Sequence, residues 1–297
     1  MMIRLAHRGL AIFTLLLAFP LVSAAQEQPL KLFISVDMEG IGGIGTGQLV
    51  NSSGKDYSLG RQLMTAEVNT VVAAAFDAGA TEIVVNDSHG DMQNLLHTEL
   101  DPRVTYIQGA IKPYGMVEGL DETFGGAIFI GYHTRAGTPN GFLAHTGSGA
   151  VKGLWIDGRE SGEGDMNAAF AASMGVPVLL VSGDSATIEQ LAYLGAEGVT
   201  TKVAVTPQSA RLLHPEVVRA RLAEATYRAV EAAGALSPAP SYAPVEVRMR
   251  FSDVTTPQIL EGIPGVRQVD GYTVEFEADT MAAAYRMIRL MYRFVSV

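Results

Sequence analysis

Apolar runs of strand length alternate with stretches of helical periodicity along most of this chain. "LFISV" (32–36), "EIVVND" (82–87), "VTYIQG" (104–109), "GAIFIGY" (126–132), "VPVLLVSGD" (176–184) and "TTKVAV" (200–205) read as strands. A continuous apolar run is what a strand covered on both faces requires. Between them, "YSLGRQLMTAEVNTVVAAAFDAGA" (57–80), "GDMNAAFAASMG" (164–175), "SATIEQLAYLG" (185–195) and "HPEVVRARLAEATYRAVEAAG" (214–234) carry helical spacing. The first of these ends at Gly79, a suitable helix C-cap. The alternation predicts an α/β fold, a largely parallel sheet flanked by helices. "AVKGLWIDG" (150–158) interrupts it and reads as a hairpin or excursion.

The pattern changes after the proline-rich stretch "ALSPAPSYAP" (235–244), which reads as a linker. "VEVRMRFS" alternates at period two, "TPQILEGI" suits a short helix, "YTVEFEA" suits a half-exposed strand, and "DTMAAAYRMIRLMYRFVSV" closes as an amphipathic helix. The chain therefore divides into an α/β domain over 26–236 and a smaller C-terminal α+β unit over 237–297. Residues 1–25 follow another logic. Arg4 and Arg8 precede the apolar run "GLAIFTLLLAFPLV", and small residues follow in "VSAAQ". That is the build of a secretory signal peptide. This run of 14 residues falls short of the ~20 needed to cross a bilayer. The expectation is cleaved export, a periplasmic location, and no stable membrane span in the mature chain.

Hydrophobic residues make up 48% of the 297 positions and charged residues 18%, enough apolar material for a sizeable core. The formal charge is −10, and loss of the leader with its two arginines takes it to −12. An acidic surface repels phosphate backbones, so no nucleic-acid partner is expected. The chain has no cysteine, which excludes disulfides and thiolate metal sites. Any metal must be held by His, Asp, Glu and other oxygen donors.

Such donors gather where strands end. Asp37 and Glu39 follow "LFISV", His89 follows "EIVVNDS", and His133 follows "GAIFIGY". In open α/β sheets ligands bind outside the carboxyl ends of the strands. Residues two apart in extended chain point the same way, so both carboxylates would aim together with Met38 turned away. Two like charges at that range raise each other's pKa unless a cation lies between them. "FLAHTGSG" adds His145, and "ESGEGDMNAAFAA" adds Glu163 near a helix start, with Asn167 one turn on. His97 and His214 read as structural. Asp37, Glu39, His89, His133 and Glu163 make five donors, three of them carboxylates. That set fits two metal ions sharing a carboxylate better than one, and nitrogen with oxygen donors suits zinc, with manganese and cobalt open on chemistry alone.

"SVDMEGIGG", "NDSHGDMQNL", "GYHTRAGT", "LAHT" and "GE…N…GVPVLLVSGD" stand here in a fixed order. In these motifs and their spacing the chain resembles the M55 family of metallopeptidases, the D-aminopeptidases of the dipeptide-operon type. The resemblance runs from about Lys31 to the C-terminus. It implies an α/β fold, a dinuclear zinc site with two ions per subunit, and hydrolysis of short peptide substrates with D-amino acids at the N-terminus. It also implies a ring-shaped homo-oligomer. The family's ligands fall on Asp37, Glu39, His89, His133 and Glu163, and its catalytic histidine on His145. On this reading zinc activates a water, and His145 moves a proton to the departing amine; a nucleophilic His145 is the alternative, less favoured because the metal already supplies a nucleophile. The chain departs from the family at Asp165, where glycine is usual two residues after the helix glutamate. Asp184, at a strand end, is a weaker candidate for holding the substrate's amino group. Two other readings are open on the residues: a metallohydrolase of another amide or a phosphoester, and a metal- or peptide-binding protein without chemistry. A shortage of basic residues in the motif segments beyond Arg135 argues against the phosphoester.

Overall fold

The computed structural model describes residues 29–241 and 243–295. The segment read as a signal peptide lies outside them. Seven strands form the main sheet, in the order β3-β2-β1-β4-β7-β8-β9. They are β1 (Leu30–Val36), β2 (Ala80–Asp87), β3 (Thr105–Ile107), β4 (Gly126–Tyr132), β7 (Val178–Asp184), β8 (Glu197–Thr206) and β9 (Ser209–Leu212). Every pairing is parallel except β8 with β9. The order reverses at β1: the chain winds outward through β2 and β3, then returns to β4 on β1's other side. A crevice opens at such a reversal, outside the carboxyl ends of the two strands.

Both faces of β1 are buried, as its apolar run requires. Leu32, Ile34 and Val36 pack under helices α1 (Tyr57–Asp77) and α4 (Pro215–Glu231). Phe33 faces the opposite core with Phe129 and Tyr132 of β4. Burial of a side chain of that size contributes roughly 1.5–3 kcal/mol. α3 (Ser185–Leu191) flanks β7 and β8. α1 ends where Gly79, at φ +103°, turns the chain into β2.

The second core is shared with an antiparallel five-stranded sheet, β11-β12-β10-β5-β6. It comprises β5 (Val151–Ile156), β6 (Arg159–Glu160), β10 (Val245–Phe251), β11 (Arg267–Asp270) and β12 (Thr273–Ala278). The "AVKGLWIDG" excursion is thus a hairpin that joins the C-terminal strands: β5 pairs with β10. This sheet takes strands from both sides of the boundary expected at 236/237. β10 buries Val245, Val247, Met249 and Phe251 and exposes the residues between, as its period-two pattern demands. α2 (Glu163–Ser173) lies between the sheets with α6 (Met281–Leu290) packed on it, and α5 (Thr255–Leu260) sits beside β11 and β12. Among the described residues no helix is long and apolar enough to cross a membrane.

Candidate metal centre

β2, β1 and β4 are adjacent and parallel, so the residues that follow them meet at one edge of the sheet. The Asp37–Ile41 segment crosses the end of β4. The Asp37 N–H donates to the Ile130 carbonyl at 2.8 Å, and the Gly40 N–H to the Gly131 carbonyl at 2.7 Å. Only glycine permits that approach. A Cβ on Gly40 would lie 2.1 Å from the Tyr132 carbonyl oxygen, and one on Gly131, at φ +71°, 2.4 Å from that of Asp37.

Two buried side chains hold the same segment from either side. The Lys202 ammonium of β8 donates to the carbonyls of Glu39 and Ile41, and Glu67 of α1 accepts from the Gly42 N–H at 2.7 Å. Met38 turns into the core beneath, leaving Asp37 and Glu39 on the other side.

Asp37 stands between two groups of donors. Its Oδ1 lies 3.1 Å from His89 Nδ1, which is also 3.0 Å from Glu39 Oε2. Its Oδ2 lies 3.3 Å from His133 Nε2, which is 3.6 Å from Glu163 Oε1. Glu163 is the first residue of α2, where the helix dipole favours a carboxylate. The Gly147 N–H donates to its Oε1 at 2.6 Å.

The imidazoles are oriented by their far nitrogens. His89 Nε2 donates to the Val50 carbonyl at 2.9 Å, and His133 Nδ1 to that of Thr134 at 2.9 Å. In the neutral ring each bond leaves the other nitrogen's lone pair facing the carboxylates, as metal-ligating histidines are arranged. Asp37 Oδ2, Glu39 Oε2 and His133 Nε2 are buried without a hydrogen-bond partner. Unpaired buried polar atoms are costly, and these converge. The donor set therefore fits a cation, with no thiolate and with mixed nitrogen and oxygen ligands that suit zinc.

The electrostatics say the same. Burial, and then the Glu39 charge, push the Asp37 carboxyl up. Burial would also raise Glu39 and Glu163. In Glu39 the neighbouring His89 outweighs it and holds the group well below the usual range. In Glu163 the His133 and His145 imidazoles bring it down to about 2. Burial opposes charge on His89 and His133 too, yet Glu39 raises the first and Glu163 the second well above an ordinary imidazole. Three carboxylates at this density hold positive charge wherever it is available.

His145 stands at the rim. Its ring stacks on His133 with centroids 4.0 Å apart, and its Nε2 is 3.7 Å from Glu163 Oε1. Its Nδ1 donates to the Leu143 carbonyl at 2.9 Å. The loop beneath it is pinned at several points. Phe142 N–H donates to Asp184, Leu143 N–H to the Pro207 carbonyl and His145 N–H to that of Thr134. Leu143 sits at φ +51°, a strained conformation for a branched side chain that such anchoring sustains. His133, His145 and Glu163 are close enough to hold one ion, as are Asp37, Glu39 and His133.

The remaining candidates lie elsewhere. Both oxygens of Asp184 are engaged, Oδ1 by the Thr187 N–H and hydroxyl and Oδ2 by Phe142, so it caps α3 and ties down the loop. Asn167 bonds the hydroxyls of Tyr132 and Tyr285 below the site. Asp165 accepts from the Gly162 N–H at 2.9 Å, so the departure from the family motif caps the start of α2. Arg135 pairs with Glu160, away from the cluster. His97 stacks on Tyr106, and His214 caps α4.

A cavity of about 110 Å³ is lined by Asp37, His89, His145 and Glu163 together with Arg289, Tyr292 and Arg293. These three were missed in the strand-end reading. The chain shows only that Arg286, Arg289 and Arg293 recur at helical spacing in "YRMIRLMYRF", as the polar face of any amphipathic helix does.

Three comparisons with known proteins point to one family. The profile of the M55 peptidases, described as D-aminopeptidase, matches residues 30–290. A D-aminopeptidase of Bacillus subtilis (strain 168) is 38% identical over 267 residues, covering 88% of this chain and 96% of that protein. A solved structure, described as the Zn-dependent D-aminopeptidase DppA from Bacillus subtilis, a self-compartmentalizing protease, superposes with a TM-score of 0.87 at 35% identity. The match covers 90% of this chain and 98% of that one.

Proposed function

This chain belongs to the M55 peptidase family, and on that premise we propose that it is a zinc-dependent aminopeptidase cleaving short peptides with a D-amino acid at the N-terminus. The observation that carries the proposal is the meeting of Asp37, Glu39, His89, His133 and Glu163 from four separate elements, with His145 beside them. Asp37 presents one oxygen to each group of donors. This supports a pair of ions, one held by Asp37, Glu39 and His89 and the other by Asp37, His133 and Glu163. When bound, such a pair polarises a scissile carbonyl and makes water more acidic.

The chain's own residues supply the rest. His145 has Nδ1 committed to a carbonyl, so Nε2 is the atom free to take up a proton and return it to the departing amine. Its ring lies parallel to the buried His133. Val50 and Thr134 fix which nitrogens of His89 and His133 face the carboxylates. Selection of a D-residue requires a pocket shaped about the α-carbon, and the relatives' description supports that reading.

The chain acts as an exported, periplasmic enzyme in this proposal, supported by the pattern of residues 1–25. A ring-shaped homo-oligomer is supported by the self-compartmentalizing relative. The testing experiment is elemental analysis of purified protein combined with assays of D-alanyl-D-alanine and L-alanyl-L-alanine. About two zinc ions per chain and turnover of the D-peptide are expected. One ion, or preference for the L-peptide, contradicts the corresponding part.

A further inference from the structure

The lining of the cavity beside the metal centre carries both signs of charge. Asp37 and Glu163 line it together with His89 and His145, and Arg289 and Arg293 line it as well. Both arginines come from the C-terminal unit, at the end of α6 and in the single π turn that follows it (Met291–Val295).

Arg289 is only 6% exposed. Among the described residues, no aspartate or glutamate forms an ion pair with Arg289 or Arg293. A buried guanidinium without a counter-charge is costly, and this one is built in. Its head occupies the space a side chain at Gly115 would fill, at φ +48°. The neighbouring Lys112 ammonium is committed to Asn86 Oδ1 and the Asp87 carbonyl. Tyr292 touches Arg289, and its ring lies against Gly147, whose N–H holds Glu163. The arginine wall and the carboxylate cluster are thus joined through one loop.

A free dipeptide is a zwitterion, with an ammonium at one end and a carboxylate at the other. Arginine is the side chain whose planar fork matches a carboxylate with two parallel hydrogen bonds. Resting on the peptidase reading above, we propose that Arg289, with Arg293 at its outer edge, binds the C-terminal carboxylate of the substrate. The site then recognises both ends of its substrate and favours di- and tripeptides carrying a free carboxylate over amidated or longer chains.

The test compares D-alanyl-D-alanine with D-alanyl-D-alaninamide on zinc-loaded enzyme, with KM and kcat measured separately. The free acid is expected to be favoured by about 10–100-fold, mostly through KM, the worth of a charge-assisted hydrogen bond. Arg289→Gln should bring the acid-to-amide ratio close to one, and Arg289→Lys should retain part of it. Equal use of both substrates by the wild type overturns the proposal. So does an Arg289→Gln enzyme that loses activity on both alike and keeps its ratio. Should Arg289→Gln not fold, the wild-type ratio and its reduction in Arg293→Gln decide the matter. Calorimetry gives a readout independent of turnover: N-acetyl-D-alanine should bind at least ~10-fold tighter than N-acetyl-D-alaninamide, and Arg289→Gln should erase the difference. Failure to hydrolyse either substrate would count against the peptidase reading, while the calorimetric comparison would still report on the carboxylate pocket.

Discussion

His133 and His145 lie ring on ring, 4.0 Å apart and 11° from parallel, and both direct Nε2 at the same oxygen of Glu163. Both also commit Nδ1 to a main-chain carbonyl. What separates them is access: the side chain of His133 is 2% exposed and that of His145 33%. In the proposed function the same donor geometry serves two tasks, a ligand inside and a proton carrier at the rim.

That division predicts the behaviour of His145→Ala. Turnover should fall by ~10²–10⁴, the usual worth of a general acid or base, while zinc stays near its wild-type content. Elemental analysis alongside the kinetics checks it. Parallel loss of zinc and activity would make His145 a ligand.

The ligand positions predict the reverse. His89→Ala and Glu163→Gln should both lower the zinc content. Glu163→Gln keeps an oxygen for the Gly147 N–H, so its effect reports on charge rather than on a broken loop. Full zinc occupancy in either variant removes that residue from the ligand set.

Much of this arrangement was legible in the chain because one signal serves both strand and site. An apolar run ending in Asp, His or Glu marks a buried strand and what stands at its carboxyl end. β1, β2 and β4 each display it. The second sheet was harder, since β5 meets β10 across some ninety residues of chain and β11 is only four residues long. Pairing at that distance leaves no local periodicity. Arg289 was hidden for a related reason: its helix reads as an ordinary amphipathic terminus until packing on α2 brings it to the cavity. Asp184 was only a weak candidate by the strand-end rule, and every donor bonded to it is backbone or hydroxyl of its own fold.

Asp184 is accordingly expected to act on stability and on the His145 loop. Asp184→Ala removes a helix cap and strands the buried Phe142 N–H, which should cost about 2–4 kcal/mol. Denaturant unfolding measures the loss, and Asp184→Asn should restore part of it. A variant with wild-type stability and a raised KM for peptides would instead assign the carboxylate to the substrate's amino group.

Glu67 and Lys202 clamp the loop that carries Glu39, and both pay for it in solvation. Burial moves the Glu67 carboxyl up to about 7 and the Lys202 ammonium down to about 7. For Glu67 the folded protein keeps a proton that the unfolded chain releases near pH 4.5. Stability from this group is therefore present at low pH, declines as pH rises from about 4.5 to 7, and is flat above. The total is up to about 3 kcal/mol. Lys202 acts at higher pH, where the unfolded chain holds the extra proton and stability rises from about 7 towards 10.5. Glu67→Gln isolates the first effect, because the amide oxygen still accepts from Gly42 while the ionisable group is gone. Urea unfolding at pH 5 and pH 8 should show the variant gaining about 2–3 kcal/mol on the wild type between the two. Parallel profiles would mean that Glu67 is already ionised in the folded protein at pH 5, with Lys202 neutralising it, and that the loop is held by a charged pair.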